Sequence, residues 1–286
     1  MIYDCFLYYD EDMLLDIRLN TLADVVDKFV IVESKHTFTG KAKTLNFDIS
    51  KYEKFSDKII YVTYDELPKL KKDVPGEYDA WKNEECTRNA IMQGLKHAND
   101  DDIILVSDVD VIFRPDVIKQ IDTRNICTIF HMDFYNYQFN LQVFNVDGTA
   151  RLCKLPRATT LKNLKRYFSG EPETFRNFKK HKKNLNFISK MWIKHRTKII
   201  SNAGWHFSWI MTPERISEKM STISHTEYDL PHLNNKEHII DALTNAKDIW
   251  NRDRKMIKQP LNKESFPSYL VDNAEKYKEF ILLSQN

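Results

Sequence analysis

The stretch that most limits what this chain can become runs from Glu84 to Pro115, EECTRNAIMQGLKHANDDDIILVSDVDVIFRP. The apolar positions Ala90, Ile91, Leu95 and Ala98 recur at helical spacing, which predicts a helix over 85–97. Asn99-Asp100-Asp101 is a turn cluster. Ile103 to Val106 is a short unbroken apolar run, the pattern of a parallel strand covered on both faces. Asp108 and Asp110 then fall where that strand emerges. Ligands of open α/β sheets sit outside the carboxyl ends of the strands. Two carboxylates there can hold a divalent metal through oxygen ligands. The competing reading is a solvated turn, because aspartate is common after strands.

The rest of the first half repeats the same alternation. Ile2 to Tyr9, Lys28 to Val32 and Lys58 to Thr63 read as strands, and Asp10-Glu11-Asp12 opens a helix carrying Met13, Leu14, Ile17, Arg18 and Leu22 at helical spacing. Four strands separated by helical patterns imply βαβ units and a parallel sheet. Past Asp110 the style changes. Residues 126–144 are an aromatic stretch that predicts strands broken near Met132-Asp133. Thr212-Pro213 has the cap and first-turn proline of a helix start. The last fifty residues are polar and read as helical, ending in an FPSYL segment.

Composition narrows the function classes. A net charge of +2 over 286 residues excludes a polyelectrolyte binder for the chain as a whole. The four cysteines are far apart and make no C-x-x-C pair, which argues against zinc. Cys5 and Cys127 are expected to be buried thiols. No run approaches eighteen apolar residues, so no membrane span is expected. The start MIYD lacks a basic, apolar leader pattern, and the expected location is cytoplasmic.

A strand-end aspartate pair suits three readings. It can bridge a metal to a diphosphate, it can serve a phosphatase whose first Asp is the nucleophile, or it can be a structural turn. The phosphatase pattern normally lies on an N-terminal strand, whereas this pair follows the fourth.

The flanking blocks carry a resemblance. MIYDCFLYYDEDMLLDIRLNTLADVVDKFVIVESKHTFTGKAK, DKIIYVTYDELP, RNAIMQGLKHANDDDIILVSDVD, AGWHFSWI and SHTEYD, in that order, resemble glycosyltransferase family 17 from Met1 to about Asp229. The resemblance implies a GT-A-like (Rossmann-like) α/β fold with a mixed, mainly parallel sheet flanked by helices. It implies a transferase domain over 1–230, divided into a nucleotide-binding half (1–115) and an acceptor-side half (116–230), with a helical extension over 231–286. It implies inverting, metal-dependent transfer of N-acetylglucosamine from UDP-GlcNAc to a glycan hydroxyl, as in the family's enzymes that add a bisecting N-acetylglucosamine to N-glycan cores. The animal enzymes carry a membrane anchor and a stalk, and this chain resembles a free-standing catalytic domain of the bacterial or viral sort. The alternatives are the same chemistry with another nucleotide sugar, the phosphatase, and a non-catalytic glycan-binding protein.

The site residues follow. Asp108 and Asp110 are expected to hold Mn²⁺ or Mg²⁺, with His206 and His225 as candidates for a further ligand. Arg88 is expected on a phosphate or on the metal aspartates, and Glu33 near the nucleoside. Tyr9, Asp10 and Glu11 follow the first strand at the same sheet edge and are candidates for the base or ribose. Trp205 and Trp209 are candidates for stacking on a sugar face. Asp133 and Glu227 are the two candidates for the general base, and the residues alone do not choose between them. Residues 176–198 hold nine Lys or Arg and no Asp or Glu. That run reads as a solvated face, a lid over the diphosphate, or a contact for an anionic acceptor or membrane surface. No nucleic-acid-binding module is recognisable.

Overall fold

The computed structural model describes residues 1–178 and 185–282. In chain order the first half contains β1 (Ile2–Leu7), α1 (Asp12–Leu22), β2 (Lys28–Ser34), β3 (Ile59–Tyr64), α2 (Ala80–Asn89), α3 (Ile91–Gly94), β4 (Ile103–Val106), β5 (Val111–Phe113) and α4 (Pro115–Ile118). There follow β6 (Cys127–Phe130), β7 (Met132–Asn136), β8 (Leu141–Phe144), β9 (Leu152–Cys153), β10 (Arg157–Thr160), α5 (Leu161–Phe168), α6 (Pro172–Arg176) and α7 (Phe187–His195). The chain ends through β11 (Thr197–Ile200), β12 (Gly204–Ser208), α8 (Pro213–Thr222), α9 (Lys236–Thr244), β13 (Lys255–Lys258) and α10 (Ser268–Asp272).

The architecture is mixed α/β with a mainly parallel central sheet. Its seven strands run β11-β6-β10-β4-β1-β2-β3. All neighbours are parallel except β10, which lies antiparallel between β4 and β6. The two-residue period of each strand divides the side chains between two cores. Phe6, Phe29, Ile31 and Leu105 face α1 and the second sheet. Cys5, Val30, Val32, Ile104 and Val106 face the opposite layer, with Ile91, Leu164 and Phe168. Burial on both faces is why β4 reads as a continuous apolar run.

A second sheet, ordered β13-β8-β7-β12-β5, packs beside the first. The aromatic stretch breaks at His131, where the chain leaves β6 in one sheet and enters β7 in the other. Among the described residues after 230, α9, α10 and a 3-10 turn over Ala274–Phe280 are helical, β13 pairs antiparallel with β8, and the chain from 245 to 267 is otherwise irregular.

The helix expected over 85–97 starts earlier, at Ala80, because the Asp79 carboxylate accepts the Lys82 amide at 3.0 Å as a cap. It breaks at Ala90 into the short α3. That turn brings Gly94 against β2, where an added Cβ would lie 2.4 Å from Val30 Cγ1. All four cysteines are free, and Cys5 and Cys127 are buried. No helix among the described residues is long and apolar enough to cross a membrane.

Candidate active site

The loop after β4 is shaped from below by one arginine. Arg18 stands on α1 at a position the helix turns inward, and it is fully buried. It grips Asp4 of β1 at two points, 2.7 and 2.6 Å. Its remaining N–H groups reach the loop itself: the Ser107 hydroxyl at 2.7 Å, the Asp108 carbonyl at 2.7 Å, the Val109 carbonyl at 3.3 Å and the Val111 carbonyl. A single guanidinium thus donates to three carbonyls of a buried turn, of which the Asp108 carbonyl also accepts from the Val111 amide at 3.1 Å. It also fixes the direction in which the two carboxylates leave the loop.

Asp108 enters a charged cluster. Arg88 donates to it at 3.0 Å, and Arg176 donates to its other oxygen. Arg88 is buried and also meets Glu84 and Glu173, each at 2.6 Å. Glu84 accepts in addition from the Ser224 hydroxyl. Burial would raise the Asp108 carboxyl pKa, but the Arg176 and Arg88 charges outweigh it and hold the group far below the usual carboxylate range. Glu84 is lowered for the same reason, with burial opposed by Arg88 and Arg176.

Asp110 faces His206, delivered by β12, whose His206 lies in register with Val111 of β5. His206 Nε2 stands 3.2 Å from Asp110 Oδ1, an ion-pair distance without hydrogen-bond geometry. Burial alone would lower the imidazole pKa. The Asp110 carboxylate, with Cys153 beside it, pushes it up to about 10. Asp110 Oδ1 and His206 Nδ1 are both buried and lack a hydrogen-bond partner. Buried polar atoms are normally paired, so the unpaired Asp110 Oδ1 beside the His206 ring requires a reason.

These groups open onto a cavity of about 580 Å³. Tyr9 and Glu11 line it from the end of β1, and Arg215 and Lys219 from α8. Lys43 and Arg215 lie 4.9 and 5.2 Å from the centre of the Tyr9 ring. The Arg151 guanidinium carbon lies 3.9 Å from the centre of the Phe134 ring, and Phe134 in turn meets His206 edge-on at 4.3 Å. Another part of the wall is aromatic. Trp250 stacks on Tyr228 at 4.2 Å, and His225 meets Trp81 edge-on at 4.7 Å. Trp209, in a left-handed backbone conformation with φ 59°, touches Trp250. That conformation is costly for a bulky residue and is found where surrounding structure enforces it.

Of the residues singled out from the sequence, Tyr9, Glu11, Arg88, Asp108, Asp110, His206, Trp209 and His225 line this cavity. Five are held elsewhere. Asp10 pairs with Arg215 at 2.6 Å. Glu33 is fully buried and accepts from Lys43, from the Asn46 and Phe47 amides and from the Tyr61 hydroxyl. Trp205 is buried, with its indole N–H on the Ser265 carbonyl at 2.7 Å and Arg114 over its ring. Asp133 lies in register with Trp205 on β7, and burial, opposed by Arg114, raises its pKa. Glu227 reaches the cavity only through His225, whose Nδ1 is 2.7 Å away.

The sequence reading missed Arg18, Glu84, Glu173 and Arg215. Glu84 had a signal, since it stands one helical turn before Arg88. Arg176, which holds Asp108, opens the basic run. Lys179 to Asn184 of that run lie outside the described residues.

Among the described residues no three His, Cys, Asp or Glu side chains converge to hold a metal ion by themselves, so Asp108, Asp110, His206 and His225 do not form one ligand set. The Asp110–His206 pair does fit a divalent cation that takes its other ligands from a bound molecule. It offers a carboxylate oxygen without a hydrogen bond and an imidazole, donors that Mn²⁺ accepts.

Comparison with known proteins supplies the remaining evidence. The β-1,4-mannosyl-glycoprotein 4-β-N-acetylglucosaminyltransferases of Rattus norvegicus and Homo sapiens are each 28% identical to this chain over 231 residues, 75% of its length. The chain spans only 41% and 42% of those two enzymes. Among solved structures, Staphylococcus aureus TarS 1–349 in complex with UDP matches 86% of this chain and 71% of its own at 14% identity, with a TM-score of 0.38. A likeness at that score carries no argument. The model of glycosyltransferase family 17 matches residues 1–162, more than half of the sequence, and the chain belongs to that family.

Proposed function

We propose that this chain transfers a sugar, N-acetylglucosamine from UDP-GlcNAc, to a hydroxyl of a glycan with inversion at the anomeric carbon. The observation that carries the reading is the meeting of Asp110 and His206 in a cavity lined by Arg88, Arg176, Arg215 and Lys219. That cavity suits a diphosphate, which needs fixed positive charge around it. Asp110 and His206 would hold the divalent cation, Mn²⁺ or Mg²⁺. When bound, it offsets the charge that develops on the departing nucleoside diphosphate.

The protein residues divide the remaining work. Arg18 fixes the loop, so Asp110 is presented without reorganisation. Arg88 and Arg176 hold Asp108 ionised and turned into the cavity. Tyr9, with Lys43 and Arg215 beside its ring, offers a face for the base at the end of β1. We assign residues 1–115 to the nucleotide and 116–230 to the acceptor, and a β-mannoside is the first acceptor to try because the curated relatives are named for one.

Inverting transfer needs a base for the acceptor hydroxyl. Glu227 occupies Nδ1 of His225, which leaves Nε2 to take the proton, and the aromatic rings beside His225 suit the face of a sugar. In this reading His225 is the base and Glu227 orients it. The acceptor oxygen forms the new bond to the anomeric carbon, the bond to the diphosphate breaks, and its electron pair leaves with UDP. Asp108 is poorly suited to be a phosphatase nucleophile, because both its oxygens are held by guanidinium groups.

The test is UDP release and product mass with UDP-GlcNAc, Mn²⁺ and p-nitrophenyl β-mannoside, run beside UDP-glucose, UDP-galactose, GDP-mannose and GDP-fucose. A control with p-nitrophenyl phosphate and no nucleotide sugar probes the phosphatase. Product from UDP-GlcNAc alone supports the reading. Phosphate release without any nucleotide sugar, and no glycoside product from any donor, overturns it.

A further inference from the structure

The surface formed by α7 and β11 has a composition that the transfer reaction does not explain. Ile193 is the residue of α7 that reaches the core. Phe187, Ile188, Met191 and Trp192 are 75%, 79%, 52% and 47% exposed. Their spacing places them on one side of the helix. Ile199, on the edge strand that follows, is 56% exposed. Scattered apolar residues on a surface are ordinary, but a cluster of large ones on a single helix face marks an interaction site.

The charges around this face have one sign. Lys190 and Lys194 on α7 make no ion pair with a carboxylate among the described residues, and 176–198 contains no acid at all. Arg196 lies 5.4 Å from the Trp192 ring centre and donates to the Arg124 carbonyl. Asp122, on the turn before β6, is paired with Arg124 and lies within the field of Lys198 on β11.

We propose that this face docks on an anionic lipid surface. The apolar side chains enter the boundary between headgroups and acyl chains, and the lysines meet lipid phosphates. Tryptophan beside lysine is the pairing such a boundary favours, since each has an apolar body and a polar end. Nine residues of helix cover only about 13 Å, so α7 lies on the membrane and does not cross it. A nucleic acid would meet the lysines but leaves Phe187, Ile188 and Met191 without partners. The proposal is independent of the transfer reaction.

The experiment is co-sedimentation of the full chain with vesicles of phosphatidylcholine alone and of phosphatidylcholine with phosphatidylglycerol. The protein is expected to partition onto the anionic vesicles and to be released by salt. Lys190→Glu with Lys194→Glu should weaken partitioning at least tenfold, since each lysine near such a surface contributes roughly fivefold. Phe187→Ser with Ile188→Ser should weaken it also, without lowering the unfolding midpoint, because both side chains are exposed. Equal partitioning onto the two vesicle types overturns the proposal, as does either variant binding like the parent. So does self-association of the parent that the serine variant abolishes, which would make this face a subunit interface.

Discussion

Arg18 and Asp4 form a fully buried two-point ion pair, 2.6 and 2.7 Å, directly beneath the loop that carries Asp108 and Asp110. A buried pair is not in itself strong evidence of stability, but breaking one partner is expensive. Arg18→Leu leaves the Asp4 charge without its guanidinium, removes a donor from the loop carbonyls, and should cost roughly 3–5 kcal/mol in urea unfolding. Arg18→Leu with Asp4→Leu should recover most of that stability. It should not recover UDP-GlcNAc binding, because the loop is no longer held. Recovery of binding in the double variant contradicts the role given to Arg18.

The two arginines on Asp108 should separate cleanly. Arg88 is buried among Glu84, Asp108 and Glu173, so Arg88→Met leaves three carboxylates with Arg176 as their one remaining guanidinium partner among the described residues and should cost several kcal/mol of stability, of the order seen for broken buried pairs. Arg176 stands at the cavity wall. Arg176→Ala should change the unfolding midpoint much less and weaken nucleotide-sugar binding about tenfold or more. Calorimetric titration beside thermal unfolding reads both.

Asp133 carries a prediction with a defined sign. Burial raises its carboxyl pKa above the ordinary 3.8, so the folded state holds the proton more tightly than the unfolded state does. Its contribution to stability is present below that ordinary value and is lost as pH rises through the folded value. Asp133→Asn should therefore be more stable than the parent at neutral pH, with the difference shrinking as pH falls towards 3.8. Transfer should stay within about twofold, since Asp133 does not line the cavity. A loss of about a hundredfold or more would restore Asp133 as the base.

His225→Ala should lower kcat about a hundredfold, within the range a positioned base supplies, while the KM for the donor holds. Added imidazole should restore part of the rate. Glu227→Gln should lose less, about tenfold, because it acts through His225. A rise in donor KM with kcat unchanged would place His225 on the nucleotide instead.

Much of this architecture was legible before any coordinate. The run Ile103 to Val106 announced a doubly covered strand, and the aspartates after it fell at the cavity because strand ends are where open sheets bind ligands. Arg88 was singled out through the family resemblance of the helix that carries it. What stayed hidden depended on contacts distant in sequence. Arg18 sits at an apolar spacing on α1, and nothing local says that its charge meets Asp4 and a loop ninety residues on. Glu33 looked like a site residue because it ends a strand, yet nearby backbone amides and Lys43 occupy it. Trp205 and His206 are neighbours that point to opposite faces of one strand, and period two sends only the histidine to the cavity. The split of residues 126–144 between two sheets was not readable either, because both halves have the same composition.

The most direct test of the central claim is thermal unfolding with UDP-GlcNAc, with and without Mn²⁺, for the parent and for Asp110→Asn. A ligand that binds only the native state raises the midpoint in proportion to the logarithm of its concentration over Kd. The parent should show a rise with both components that disappears on chelation, and Asp110→Asn should show little or none. An equal rise in the variant, or a rise indifferent to the metal, would contradict a site built on Asp110 and His206.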